Sequence, residues 1–123
     1  MTYKILIADD TKINLNVLKT ILQKHNYFVD TVTNGEELIE KFEEDKYDLM
    51  FLDIQMPNLK GDDALLKIRE KHNKLPYTVA ISAVEFPDEI ENYDKIGFDY
   101  FMPKPINENK VKLVLNKYLE TIQ

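Results

Sequence analysis

The sequence predicts an α/β fold in which helices cover both faces of a parallel sheet. Short apolar runs alternate five times with longer amphipathic segments along the 123 residues. Strict alternation of strands and helices implies right-handed crossovers between parallel strands. In addition, residues 49–52 are continuously apolar, which is typical of a strand covered on both faces. The length fits one domain, and we expect residues 1–123 to form it.

Five segments have the composition of strands. The first and third are apolar runs, and the second is rich in β-branched and aromatic side chains. Asp9 and Asp10 follow the first strand, whereas Asn34 and Gly35 end the second. The predicted strands are residues 3–8, 27–33, 47–53, 77–81 and 99–102.

Five other segments indicate helices. Pro87 lies near the first turn of the fourth helix, Gly97 ends that helix, and Asn107 caps the last one. The remaining predicted helices are residues 13–25, 36–45 and 62–72, and the last continues to about residue 122. Their predicted inward-facing positions are Ile13, Leu15, Val17, Leu18, Ile21, Leu22, Leu38, Ile39, Phe42, Val111, Leu115, Tyr118 and Ile122. At this length the natural arrangement is a flavodoxin-like (βα)5 three-layer sandwich with strand order 2-1-3-4-5.

Composition excludes several classes of function. The chain has no cysteine, so disulfides and thiolate metal sites are excluded, and we expect a cytoplasmic location. The net charge of −6 argues against direct nucleic-acid binding by this domain, which usually needs a basic face. No apolar run approaches the ~20 residues of a membrane span, and the N-terminal segment lacks the apolar region of a signal peptide. We therefore expect no membrane association.

Polar residues follow the carboxyl ends of four predicted strands. Asp9 and Asp10 follow the first strand, Asp53 ends the third, Ser82 follows the fourth and Lys104 follows the fifth. Open α/β sheets bind ligands at this edge, near the point where the strand order reverses. In the predicted order that point lies between the first and third strands, so we expect the five side chains to converge along one edge.

Three neighbouring carboxylates remain ionised at neutral pH only if a cation compensates their charge. Mg²⁺ suits oxygen ligands of this kind and usually keeps waters and phosphate oxygens in its shell. An aspartate, a hard cation, a lysine and a hydroxyl together indicate phosphoryl transfer to a carboxylate. Taken singly, each residue has a plainer interpretation as a helix cap, a turn residue or a solvated side chain. Their coincidence at one sheet edge favours the functional interpretation.

With these residues in place, the sequence resembles the receiver domain of two-component response regulators over essentially its whole length. The four motifs that carry the resemblance each follow a different predicted strand. They are Asp9-Asp10, Leu52-Asp53-Ile54-Gln55-Met56-Pro57 with Gly61 following, Ile81-Ser82-Ala83, and Lys104-Pro105-Ile106.

The resemblance implies a role for each acidic residue. Asp53 would accept a phosphoryl group from a sensor histidine kinase or a histidine phosphotransfer protein. Asp10, Asp53 and the backbone carbonyl of Gln55 would bind Mg²⁺ (or Mn²⁺), and Asp9 would act mostly through a metal-bound water. The domain would catalyse only its own phosphorylation and dephosphorylation, and would therefore not be an enzyme in the usual sense.

The resemblance also implies a conformational switch. Ser82 and Lys104 would bind the phosphoryl oxygens, and a cis peptide bond before Pro105 would aim the lysine into the site. Ser82 and Phe101 would then move together and reshape the face formed by the fourth helix, fifth strand and fifth helix, to which a downstream protein would bind. Phe101 lacks the hydroxyl often found at this position, and it can equally be a core aromatic. Pro103 should stiffen the loop before Lys104.

The wider context of the domain stays open at the level of sequence. The asparagine at position 14, four residues after Asp10, resembles the pattern of receivers attached to hybrid kinases and phosphorelays. An exposed position on the helix would explain this asparagine equally simply. The chain could be a stand-alone receiver or part of a longer regulator or hybrid kinase. Its amphipathic last helix is compatible with a homodimer, although the apolar stripe also fits a core-facing helix.

Three alternatives compete with the receiver interpretation. A small aspartyl-phosphate phosphatase needs a second aspartate two positions after the nucleophile, where this chain has Gln55. A flavin carrier would have a phosphate loop rich in serine, threonine and glycine, but the first loop here begins with two aspartates. A phosphorylation-independent interaction module would not require the complete acidic, hydroxyl and lysine set.

Overall fold

Five strands and four helices are assigned in residues 3–83 and 94–122, which the computed structural model describes. The strands are β1 (Lys4–Ala8), β2 (Phe28–Val32), β3 (Leu49–Asp53), β4 (Tyr77–Ser82) and β5 (Tyr100–Pro103). The helices are α1 (Lys12–Lys24), α2 (Gly35–Lys41), α3 (Gly61–Lys71) and α4 (Glu108–Thr121), the last being the fifth helix predicted from the sequence. Within this part of the chain, none of the helices has the length and apolar character that a bilayer crossing requires.

The strands form one parallel sheet in the order β2-β1-β3-β4-β5, which confirms the predicted topology. Strands β1 and β3 lie side by side in the middle, and the strand order reverses between them. Residues 94–96 are helical and lead to Gly97, which has a φ of 129°. They match the end of the predicted fourth helix, whereas its start, including Pro87, lies outside the described residues.

Helices pack on both faces of the sheet and create two apolar layers. The first layer combines α1 and α4 with alternate residues of the strands, and the second combines α2 and α3 with the intervening residues. All five residues of β3 are buried, because helices cover this central strand on both sides. The sandwich predicted from the alternating pattern is therefore present.

Two helices begin at asparagine caps, of which Asn107 was predicted and Asn34 was expected only to end the second strand. The Asn34 side chain accepts a hydrogen bond from the backbone N–H of Glu37, and the Asn107 side chain accepts one from Lys110. However, α2 ends at Lys41, before the predicted residue 45. Phe42 adopts an extended conformation and is buried in the second apolar layer, so its packing ends the helix early.

The apolar faces of α1 and α4 are narrower than predicted. Ile13 is 72% exposed, Val17 is 39% exposed and Ile122 is 51% exposed, so their predicted burial is wrong. A helix packed on a sheet buries only the stripe that faces the strands, and residues to either side of it remain in water. The buried stripes are Leu15, Leu18, Ile21 and Leu22 in α1, and Val111, Val114, Leu115 and Tyr118 in α4.

Candidate functional site

The acidic residues meet where the central strands end. Ala8, the last residue of β1, pairs with Leu52 in β3, so the residues that follow them in the chain, Asp9 and Asp53, lie at the same level of the sheet. One carboxylate oxygen each from Asp9, Asp10 and Asp53 lies within 4.8 Å of the others. The three aspartates therefore converge at the reversal point of the strand order, as predicted.

Asp53 is buried at the centre of this cluster. Its side chain is inaccessible to solvent, its Oδ1 accepts a hydrogen bond from the Gln55 backbone N–H at 3.0 Å, and its Oδ2 accepts one from Lys104 Nζ at 3.2 Å. Burial, followed by the nearby charge of Asp9, raises the pKa of Asp53 to about 6 despite the opposing effects of Gln55 and Lys104. The carboxylate is thus held in a site that disfavours its negative charge.

Asp9 is also buried, and its two oxygens differ in their contacts. Oδ1 accepts a hydrogen bond from the Thr11 N–H at 2.9 Å, whereas Oδ2 is buried without a hydrogen-bond partner among the described residues. Burial is the main factor that raises the pKa of Asp9, and the Asp10 charge adds to it; Thr11, Lys104 and Asn14 act in the opposite direction. An unpaired buried carboxylate oxygen is costly unless another group compensates it.

A hard cation fits this donor set. Every ligand offered is a carboxylate oxygen, one of them lacks any other partner among the described residues, and Asp10 is exposed to solvent. Mg²⁺ prefers oxygen ligands and retains part of its water shell, which suits a cluster that is buried on one side and open on the other.

The lysine reaches the site from the loop after β5. The backbone N–H of Lys104 donates to the Ser82 carbonyl at 2.9 Å, so the ends of β4 and β5 are joined directly. The Lys104–Pro105 peptide bond is cis, the conformation that the resemblance implies. Pro103 ends β5 opposite Ser82, at the edge of the sheet where a residue without an N–H is tolerated.

Three further predicted residues lie at the end of β4, just after β3 and within β5. Ser82 is buried and follows Ile81, which pairs with Asp53 across the sheet. Gln55 is exposed just beyond Asp53. Phe101 is partly buried against the second apolar layer. The roles assigned to the Ser82 hydroxyl, the Gln55 carbonyl and the Phe101 ring stay predictions.

The sequence analysis named Gly61 as part of the Asp53 motif but gave it no structural role. It is the first residue of α3, and its N–H donates to the Ile54 carbonyl at 3.0 Å. A Cβ at this position would lie 2.3 Å from the backbone oxygen of Asp53, so only glycine permits this approach. The close sequence spacing of Gly61 and Asp53 was the available signal. The sequence also gave no signal for Lys110, whose Nζ donates to the Pro103 and Pro105 carbonyls, because a lysine in a helix resembles any solvated surface residue.

Comparison with known proteins identifies the family. The family model described as response regulator receiver domain matches residues 5–116. The chain therefore belongs to the receiver domain family. It is a domain of the kind found in hybrid histidine kinases and response regulators, a signalling phospho-acceptor of two-component and phosphorelay systems. The phosphatase and phosphorylation-independent alternatives are not favoured.

One relative and two solved structures are similar over nearly the whole chain. Hybrid signal transduction histidine kinase L of Dictyostelium discoideum is 37% identical; the match covers 94% of this chain and only 7% of that protein. A two-component response regulator from Clostridium difficile is 30% identical, with a TM-score of 0.88 and 99% of each chain covered. The receiver domain of sensor histidine kinase PA1611 from Pseudomonas aeruginosa, with magnesium in its active-site cleft, is 23% identical with a TM-score of 0.84, covering 98% of this chain and 99% of that one.

Proposed function

We propose that Asp53 accepts a phosphoryl group from a phosphohistidine of a sensor histidine kinase or histidine phosphotransfer protein, in a reaction that requires Mg²⁺ (or Mn²⁺). The observation that carries this proposal is that the buried Asp53 contacts Lys104 and lies within 4.8 Å of the Asp9 and Asp10 carboxylates. A lysine and a carboxylate cluster able to hold a divalent cation, both next to Asp53, suit the transfer of an anionic group to its carboxylate.

In the proposed reaction, an Asp53 carboxylate oxygen attacks the phosphorus atom. The new bond joins that oxygen to phosphorus, the bond from phosphorus to the donor histidine breaks, and the electron pair returns to the imidazole. The pKa of Asp53, although raised to about 6, still leaves the carboxylate mostly ionised at neutral pH. Lys104, which contacts Asp53 Oδ2 before the reaction, would then bind one phosphoryl oxygen. The Ser82 hydroxyl would donate a hydrogen bond to a second phosphoryl oxygen.

Asp10, Asp53 and the Gln55 carbonyl would hold the metal directly, and Asp9 would hold it through a water. The Oδ2 of Asp9, which has no hydrogen-bond partner in residues 3–83 and 94–122, supports this assignment, as does the magnesium reported for the receiver domain from Pseudomonas aeruginosa. When bound, the cation supplies positive charge that balances the carboxylates and the transferring group.

Phosphorylation would be read out as a change of shape. Ser82 and Phe101 would shift, and the face formed by the fourth predicted helix, β5 and α4 would bind a downstream protein. We infer that residues 1–123 act as one domain in the cytoplasm. The match with a similar hybrid kinase covers 7% of that protein, and Asn14, four positions after Asp10, is typical of receivers attached to hybrid kinases and phosphorelays. We therefore favour attachment to a hybrid kinase as the context of this domain.

Labelling with a small phosphodonor tests the acceptor. The protein is incubated with acetyl phosphate, with and without Mg²⁺, and its intact mass is measured. We expect one added phosphoryl group only when Mg²⁺ is present, none in Asp53→Asn, and unchanged labelling in Asp63→Asn, an exposed carboxylate on α3. Labelling that survives Asp53→Asn, or a wild-type protein that stays unlabelled, would overturn the proposal.

A second variant separates the lysine from the metal. We expect Lys104→Ala to bind Mg²⁺ with little change while its phosphorylation slows by about a hundredfold, since one charged partner of the transferring group is removed. Calorimetry measures the metal affinity and intact mass measures the rate. Lys67→Ala, at an exposed position on α3, is the matched control and should behave as wild type. An unchanged rate in Lys104→Ala would remove the lysine from the mechanism.

A further inference from the structure

Lys110 makes an unusual pair of contacts beside the site. Its Nζ donates hydrogen bonds to the Pro103 carbonyl at 3.1 Å and to the Pro105 carbonyl at 3.0 Å. These two carbonyls belong to the residues on either side of Lys104. A single ammonium group therefore joins both flanks of the residue that contacts Asp53.

The position of Lys110 in the helix does not suit an ordinary solvent-exposed surface lysine. It is the third residue of α4, and its own N–H is held by the Asn107 cap at 2.9 Å. A cation in the first turn opposes the positive end of the helix macrodipole, so this is not a place where a lysine is favoured for its own sake. The side chain nevertheless folds back over the helix start and is partly buried.

Hydrogen bonds from two sides hold the backbone around Lys104 in place. The Lys104 N–H donates to the Ser82 carbonyl, while the carbonyls before and after Lys104 accept from Lys110. The peptide groups around Lys104 are thus held from β4 on one side and from α4 on the other. The Lys104 side chain extends from this fixed segment to Asp53 Oδ2 at 3.2 Å.

We propose that Lys110 is a positioning residue for phosphoryl transfer: it clamps the Pro103 and Pro105 carbonyls and thereby aims Lys104 at Asp53. The inference rests on the proposed function of Asp53 and adds a residue that does not touch the reacting atoms. It follows that loss of the Lys110 ammonium should slow phosphorylation with little effect on the metal site, because Lys110 donates to backbone carbonyls beside Lys104, whereas the metal site is built from the carboxylates of Asp9, Asp10 and Asp53.

The test compares rates at saturating acetyl phosphate with Mg²⁺ affinity in the same proteins. Lys110→Met keeps most of the apolar stem and removes the donors, so we expect its rate constant to fall about tenfold, with the Mg²⁺ dissociation constant unchanged. Lys110→Arg can reach both carbonyls and should recover most of the rate. Lys112→Ala, at an exposed position on the same helix, should match wild type.

A double-mutant cycle with Lys104 distinguishes positioning from a general loss of structure. In a Lys104→Ala background there is no lysine to aim, so adding Lys110→Met should change the rate by less than about twofold. Lys110→Ala is measured in parallel. Thermal unfolding shows which of the two Lys110 variants is folded, and the rate of a folded variant decides the outcome.

A wild-type rate in Lys110→Met or Lys110→Ala would overturn the inference, and so would a full further loss in the Lys104→Ala background. A wild-type protein that takes no label would instead overturn the role of Asp53.

Discussion

The two ends of the sheet differ in the side chains that they bring together. At the amino-terminal end of the strands, tyrosine rings pack against one another: Tyr3 lies 5.4 Å from Tyr27 and 5.5 Å from Tyr118, and Tyr77 lies 5.6 Å from Tyr118, measured between ring centroids. At the carboxyl end, Asp9, Asp10 and Asp53 bring like charges together, and Lys104 is the cation that contacts Asp53.

The same strands thus carry a stabilising aromatic cluster at one end and the candidate functional site at the other. Aromatic packing at the first end stabilises the fold, and edge-to-face geometry such as that of Tyr3 and Tyr118 adds to the burial of the rings. At the second end, burial raises the pKa of Asp53 and leaves one oxygen of Asp9 without a partner among the described residues. Such local conflicts are expected where a protein binds a ligand, because the ligand resolves them.

The strongest test of this contrast removes a ring from the aromatic end. We expect Tyr118→Ala to lower the free energy of unfolding by about 3 kcal/mol or more, because a buried aromatic side chain leaves a cavity against Tyr3 and Tyr77. Urea unfolding measures the change. The phosphorylation rate of the folded protein should be preserved, and Tyr118→Phe, which keeps the ring, should be close to wild type. A slower reaction at full folding would show that the two ends are coupled.

A smaller effect should come from relieving the buried charge at the acidic end. Between about pH 4 and pH 6 the unfolded chain releases the Asp53 proton while the folded protein retains it, so rising pH favours unfolding. Without metal, we expect Asp53→Asn to gain stability over wild type by about 1 to 2 kcal/mol as the pH rises from 4 to 7.

Urea unfolding at each pH checks this expectation. Added Mg²⁺ should stabilise wild type at pH 7, since a ligand that binds only the folded state shifts the equilibrium towards it. Asp63→Asn removes a carboxylate that is exposed on α3 and should follow wild type throughout. A stability difference between wild type and Asp53→Asn that does not vary with pH would contradict the raised pKa of Asp53 in the folded protein.

The smallest effect is expected where the sequence and the structure disagree about burial. Leu115 and Ile122 were predicted to share one apolar stripe, yet Leu115 is 5% exposed and Ile122 is 51% exposed. Ile122→Ser should therefore change the free energy of unfolding by less than about 0.5 kcal/mol, as for most surface substitutions. Leu115→Ala should cost about 2 kcal/mol or more. Equal losses in the two variants would show that the end of α4 is covered in solution.

Much of the fold followed from local features of the chain. The alternation of apolar runs with amphipathic segments predicted the parallel sheet and its strand order, and Asn107 marked the start of α4. These features are local because helix period, strand composition and capping depend on residues a few positions apart. The width of a buried helix face is different, since it depends on the curvature and distance of the sheet beneath it, and so Ile13 and Val17 were misplaced.

The candidate site divides in the same way. The sequence by itself determined which residues end the strands, and this was enough to bring Asp9, Asp10, Asp53 and Lys104 together, because parallel strands end at one edge. Only the tertiary structure decided that Asp53 is fully buried, that one Asp9 oxygen finds no partner in the described part of the chain, and that Lys110 donates to the carbonyls on both sides of Lys104. Burial and pairing depend on contacts across the fold, such as that between Asp53 and Lys104, which are 51 positions apart in the chain.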